Sequence, residues 1–176
     1  MQHRRRGYIF ITLLGAVFAE LFWAYRPVTI PPDTALHGEI DRILVEKSQR
    51  KMTVFRDGVA LKTYDIDLGF APISAKATEG DGRTPEGSFR IDRRNANSKF
   101  HLSLGLDYPQ PQHQRAAKAA GVSAGGDIMI HGQPNLLPAH MKMPADWTAG
   151  CIAVSNAHIE EIFAATPIGT VVEILP

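Results

Sequence analysis

The chain has 176 residues, 44% of them hydrophobic and 21% charged, a composition that supports one packed domain with a short extra segment. Formal net charge is +1, and Arg4, Arg5 and Arg6 concentrate positive charge at the start. A near-neutral body without a basic stripe argues against nucleic acid as a partner class.

Residues 1–26 read as an export signal or a signal anchor. A basic stretch from Gln2 to Arg6 precedes an apolar run from Tyr8 to Phe18, and Val17-Phe18-Ala19 offers a cleavage site. Left uncut, residues 8–25 suffice to span a bilayer core of roughly 30 Å at about 1.5 Å per residue. The leading arginines then place the remainder outside the cytoplasm, periplasmic or anchored in the inner membrane facing the periplasm. Residues 27–39, with Pro27, Pro31 and Pro32, form a stiff linker.

The folded domain is expected over residues 40–175. Residues 40–45 and 52–55 read as strands, Asp57-Gly58 as a two-residue hairpin turn, and residues 59–68 as the returning strand. Residues 77–87 carry Gly80, Gly82, Pro85 and Gly87 and predict a loop. Strands follow at residues 88–91 and 100–106. A helix is expected over residues 111–120, with proline in its first turn and Gly121 past its end. Residues 127–130 form a short strand running into His131-Gly132. A proline-containing loop of about fifteen residues comes next, long enough to suggest function. Residues 151–154 are strand-like. Ser155 or Asn156 caps a last helix with an inner face of Ile159, Ile162 and Phe163, and residues 170–175 close as a strand. The pattern predicts a mainly-β domain with two short helices.

Cys151 is the single cysteine. Exported proteins generally oxidise their cysteines in pairs, so an unpaired thiol is either an inert buried residue or a reactive one. Its neighbours favour reactivity. His131-Gly132 stands at a strand end, and eighteen residues separate it from Cys151, which lies inside Trp147-Thr148-Ala149-Gly150-Cys151-Ile152-Ala153. A nearby imidazole takes the thiol proton and holds a thiolate–imidazolium pair, which predicts alkylation below the free-thiol range and loss of that behaviour in His131→Ala. Gly150 and Gly132 leave room for a close substrate approach, and the amides around Gly150 and Cys151 are candidates for binding an oxyanion. His101 is a candidate for lining the cleft; His140 lies outside the motif. No histidine or cysteine spacing suits a metal, and no cofactor is expected.

These motifs resemble the L,D-transpeptidase catalytic domain of the YkuD type, over roughly residues 40–175. His131-Gly132 and Thr148-Ala149-Gly150-Cys151-Ile152 match its His-Gly and Ser/Thr-x-Gly-Cys signatures. Gly80-Asp81-Gly82-Arg83-Thr84-Pro85-Glu86-Gly87 followed by Ser88-Phe89-Arg90-Ile91 is similar to its threonine-proline-glycine turn before a strand. The resemblance implies a β-sandwich-like fold, Cys151 as nucleophile, and His131 as base held by a backbone carbonyl near Gly132. It implies peptidoglycan stem peptides as partners and a cross-linking or remodelling reaction on tetrapeptide stems. Thr148 is a candidate to orient the loop or bind substrate, Trp147 either walls the cleft or packs in the core, and Arg83 either meets a stem carboxylate or is solvated. Ala149 and Ala153 stand where many members carry histidine and arginine or asparagine, which bears on substrate preference. Two alternatives remain: the same site used for hydrolysis, as carboxypeptidase or wall–lipoprotein amidase, and an inactive wall-binding module.

Overall fold

The computed structural model describes residues 35–138, 141 and 143–176. The export or anchor segment, residues 27–34 of the linker, and His140 lie outside the described residues. Among the described residues no helix is long and apolar enough to cross a membrane.

In chain order the elements are β1 (Arg42–Glu46), a 3₁₀ turn (Lys47–Gln49), β2 (Lys51–Arg56), β3 (Val59–Asp65), β4 (Gly87–Ser98) and β5 (His101–Leu106). They continue with α1 (Pro111–Ala119), β6 (Met129–His131), β7 (Ile152–Ala153), α2 (Asn156–Ala165) and β8 (Val171–Leu175). The strands form one mixed sheet in the order β3-β2-β1-β8-β4-β5-β6-β7. The mainly-β expectation with two helices holds, and the long β4 serves both halves of this one continuous sheet. Gly87 to Arg90 pair with β8, and Ile91 to Ser98 pair with β5. One core is shared by both halves. Ile43, Val45, Met52, Val54 and Tyr64 of the first join Leu104, Leu106, Ile130, Ile152, Ile159 and Ile162 of the second.

Local chemistry explains most elements. Asp57-Gly58 turns the chain between β2 and β3, with Asp57 at φ 50° and Gly58 at φ 75°. Ser155 caps α2 by accepting the His158 N–H on its hydroxyl, and Ile159 and Ile162 lie buried on the inner face. Phe163 packs at the edge of the core, half-buried. The polar stretch Arg93-Arg94-Asn95-Ala96-Asn97 was not expected to be strand. It is recruited by the buried β5, and two register shifts in that ladder remove the alternation that marks a strand in sequence.

Two features position the site. β6 and β7 run parallel, with Ile130 opposite Ile152 and His131 opposite Ala153. A parallel return needs a crossover of a dozen or more residues, which gives the long loop between Gly132 and Cys151 a topological reason. The expected strand over residues 59–68 changes partner midway. Its ladder with β2 ends at Asp65; Asp67 then bridges Ala153, and Gly69 bridges Thr148. The loop that follows is fastened from inside by Lys47, whose side chain is 2% exposed. Its ammonium donates to Ser74 O at 2.7 Å, Thr84 O at 3.1 Å and Glu86 Oε1 at 2.7 Å, so each of its N–H donors has an acceptor.

Candidate active site

His131 ends β6, and Cys151 immediately precedes β7. The imidazole is 3% exposed and packed by Phe100 and Trp147, with ring centroids 4.6 Å and 5.5 Å away. Its Nδ1 lies 2.7 Å from the carbonyl oxygen of Gly132. A carbonyl only accepts, so Nδ1 carries the proton and Nε2 keeps its lone pair. This is the carbonyl support that the family resemblance implied. Burial lowers the His131 pKa, and the Gly132 carbonyl opposes that shift only in part.

The Cys151 thiol is partly exposed and donates to Asp127 O at 3.4 Å. Burial pushes its pKa up, as does the Asp127 charge, against the Met129 N–H and the Lys76 and Arg93 charges. With the imidazole shifted down and the thiol up, burial disfavours imidazolium and thiolate alike. That direction runs against the thiolate–imidazolium pair expected from the sequence, because desolvation disfavours both charged forms. Among the described residues the sulfur's hydrogen-bond acceptor is the Asp127 carbonyl, not the His131 ring.

Thr148 is buried and ties the Cys151 loop together. Its hydroxyl accepts the Gly150 N–H at 3.1 Å and donates to Cys151 O at 2.7 Å. Its backbone bonds Leu68 O and the Phe70 N–H at 3.1 and 2.9 Å. The Gly150 amide is therefore occupied and not available to an oxyanion. The Cys151 N–H has no hydrogen-bond acceptor among the described residues and remains the candidate donor. Gly150 has φ +132°, and a Cβ there would fall 2.6 Å from Arg83 O. The space beside it is filled by protein, not held open for substrate. Gly132 is similar: a Cβ would meet Asn156 Oδ1 at 2.6 Å and Phe100 O at 3.0 Å. Its contribution to the site is its carbonyl, not the clearance expected from the sequence.

Arg83 brings its carbonyl against Gly150, and its N–H donates to Asp81 at 3.0 Å. Its guanidinium has no partner among the described residues. Burial would raise the Asp81 carboxyl, but Lys76 and the amides of Thr78, Ala77 and Arg83 hold it well below the usual carboxylate range. Trp147 lies against His131 and Phe100, with Nε1 buried and without a partner among the described residues. His101 is the clear departure. Its Nε2 sits 2.7 Å from Glu160 Oε1 on α2, so the ring turns to that helix and not to the cleft. Ala149 is exposed, and Ala153 is fully buried opposite His131 and Asp67.

Sequence reasoning missed Asp127, Phe100 and the Arg50–Asp146 pair, in which Arg50 Nη2 meets Asp146 Oδ2 at 2.7 Å while Asp146 accepts the Leu68 N–H. Gly125-Gly126-Asp127 was a legible turn signal; the 96-residue separation of Arg50 and Asp146 left none. Among the described residues no group of three His, Cys, Asp or Glu side chains is placed to hold a metal.

The fold has solved counterparts. The chain is 23% identical to Pgp2, the helical cell shape determining protein of Campylobacter jejuni, at TM-score 0.60, covering 80% of this chain and 50% of that one. Bd1075 of Bdellovibrio bacteriovorus is 24% identical at TM-score 0.55, covering 84% and 54%. An L,D-transpeptidase of Xylanimonas cellulosilytica is 19% identical at TM-score 0.51, covering 91% and 69%. The chain thus spans about half the length of Pgp2 and Bd1075. No curated protein sequence is significantly similar to it. The L,D-transpeptidase catalytic domain (YkuD) matches residues 40–174, and with a match over so much of its length the chain belongs to that family.

Proposed function

We propose that this protein is a cysteine acyltransferase acting on peptidoglycan stem peptides, in the manner of an L,D-transpeptidase. The observation that carries the reading is the buried His131, whose Nδ1–H is tied to Gly132 so that Nε2 serves as a base, on the strand paired with the one Cys151 leads into.

In the first step the Cys151 sulfur attacks the carbonyl carbon of an L-configured centre, diaminopimelate, in a tetrapeptide stem. The thiol proton passes to His131 Nε2 as the C–S bond forms. The Cys151 N–H receives the developing oxyanion. The C–N bond to the terminal D-Ala then breaks, and His131 returns the proton to the departing amine. In the second step an amine of a neighbouring stem attacks the thioester, gives its proton to His131, and expels sulfur, which recovers that proton. Water in place of the amine gives hydrolysis. An imidazole whose charged form burial disfavours suits this cycle, since it must accept a proton before it donates one. The basic and apolar pattern of residues 1–26 supports work outside the cytoplasm, by a secreted or an anchored protein.

The test is product analysis after incubating the full chain with a disaccharide-tetrapeptide. The reading expects released D-Ala and a cross-linked dimer, both absent with Cys151→Ser. Tripeptide without dimer moves the assignment to hydrolysis. Unchanged substrate, with a folded protein, refutes it.

A further inference from the structure

The resting thiol is hydrogen-bonded to a main-chain carbonyl and not to its base. Cys151 Sγ donates to Asp127 O at 3.4 Å, and the Met129 amide points at the same sulfur. Asp127 has φ 54°, a left-handed conformation that aspartate tolerates better than most residues, and it follows Gly125-Gly126 just before β6. Its carboxylate is held by Arg93 Nη2 at 2.8 Å. Arg93 comes from the middle of β4, is also paired to Asp92 at 3.0 Å, and lies across Gly105, its register partner on β5. A Cβ at Gly105 would fall 2.5 Å from Arg93 Cγ. A line of contacts therefore runs from β5 and β4 through Arg93 and Asp127 to the sulfur.

We propose that Asp127, fixed by Arg93, is a positioning residue for the nucleophile: its carbonyl parks the protonated Cys151 thiol in a resting orientation, from which an arriving acyl donor releases it to His131. The proposal rests on the acyl-transfer reading for the role of Cys151. It accounts for a thiol bonded to a main-chain carbonyl while a prepared base stands on the neighbouring strand, β6. The charged and titratable groups around the sulfur are Asp127 from the turn before β6, His131 from β6, Arg93 from β4, and Lys76 from the loop between β3 and β4. Lys76 is paired with Asp81 at 2.8 Å, and burial disfavours the charged form of His131, so Asp127 and Arg93 are the opposed pair.

Cys151 is the single cysteine, so a neutral alkylating reagent reports on it alone. Asp127→Asn and Asp127→Gly both accept the left-handed turn and both remove the charge. Each is expected to alkylate about two- to five-fold faster at fixed pH below the thiol midpoint, the scale of a screened surface charge. Arg93→Gln is expected to slow it by a similar factor, and 1 M salt to erase both effects, since the Debye length there is about 3 Å. A purely structural turn leaves the pH profiles unchanged. Unchanged profiles, or shifts of one sign in both sets of variants, overturn the proposal. The S–H stretch gives a second reading: a hydrogen-bonded thiol band is expected in the free protein, and an unbonded one refutes the parked orientation. Neither measurement uses wall substrate, so they decide this proposal separately from the product assay.

Discussion

Gly150→Ala tests whether the nucleophile's backbone is wedged against the loop before β4. At φ +132° an L residue is strained by about 1–3 kcal/mol. The added Cβ would also lie 2.6 Å from Arg83 O and 3.3 Å from Ile128 Cδ1, so backbone must move. Relaxation is hindered, because Arg83 N–H is bound to Asp81 and the next carbonyl, of Thr84, accepts from buried Lys47. Overpacking of this kind adds about 1–3 kcal/mol, for a total of about 2–6 kcal/mol. Gly80→Ala is the matched control: φ is +78° with nothing within 4 Å, so strain alone of about 1 kcal/mol is expected. Urea unfolding of both variants measures the difference, and the Cys151 alkylation rate reports whether the thiol has moved. A Gly150→Ala variant no less stable than Gly80→Ala would refute the wedge.

Thr148→Val leaves the Gly150 N–H and Cys151 O without their partners, and denaturant unfolding should register a loss of about 2–4 kcal/mol, largely restored by Thr148→Ser. His131→Ala should lower turnover roughly 10²–10⁴-fold, read from D-Ala release. Because the Cys151 thiol is shifted up, its proton is retained to higher pH, and wild-type alkylation should rise only above the ordinary thiol range of about 8.5. His131→Ala should keep that profile; fast alkylation near pH 6 that vanishes in the variant would restore the ion pair. Asp81 sits below its unfolded value, so its stabilisation is present above a pH of about 3.9 and is lost as pH falls towards the folded value. Asp81→Asn should remove that acid limb from a pH series of unfolding free energies and destabilise by about 3–5 kcal/mol, since it strands buried Lys76.

What was legible in the sequence was local. The Asp57-Gly58 turn, the Ser155 cap and the buried alternation of β1 are decided by residues within a few positions of one another. His131 and Cys151 were legible because glycine and strand signals surround each of them. The second half of β4 was not, since its polar residues become strand only through the ladder with β5. The change of partner after Asp65 was equally hidden, because Ala153 and Thr148 lie far along the chain. His101 was misjudged for the same reason: its partner Glu160 comes from a helix 59 residues away. The protonation states were beyond sequence, since burial by the whole fold sets them.

The central claim is that Cys151 carries the acyl group. Intact-mass spectrometry of the full chain, acid-quenched during reaction with a disaccharide-tetrapeptide, tests it most directly. The account predicts added mass equal to the substrate less D-Ala, located at Cys151 and removed by hydroxylamine, as a thioester requires. Product formed by Cys151→Ser at the wild-type rate, or turnover in which no adduct at Cys151 ever accumulates or can be trapped, would contradict it.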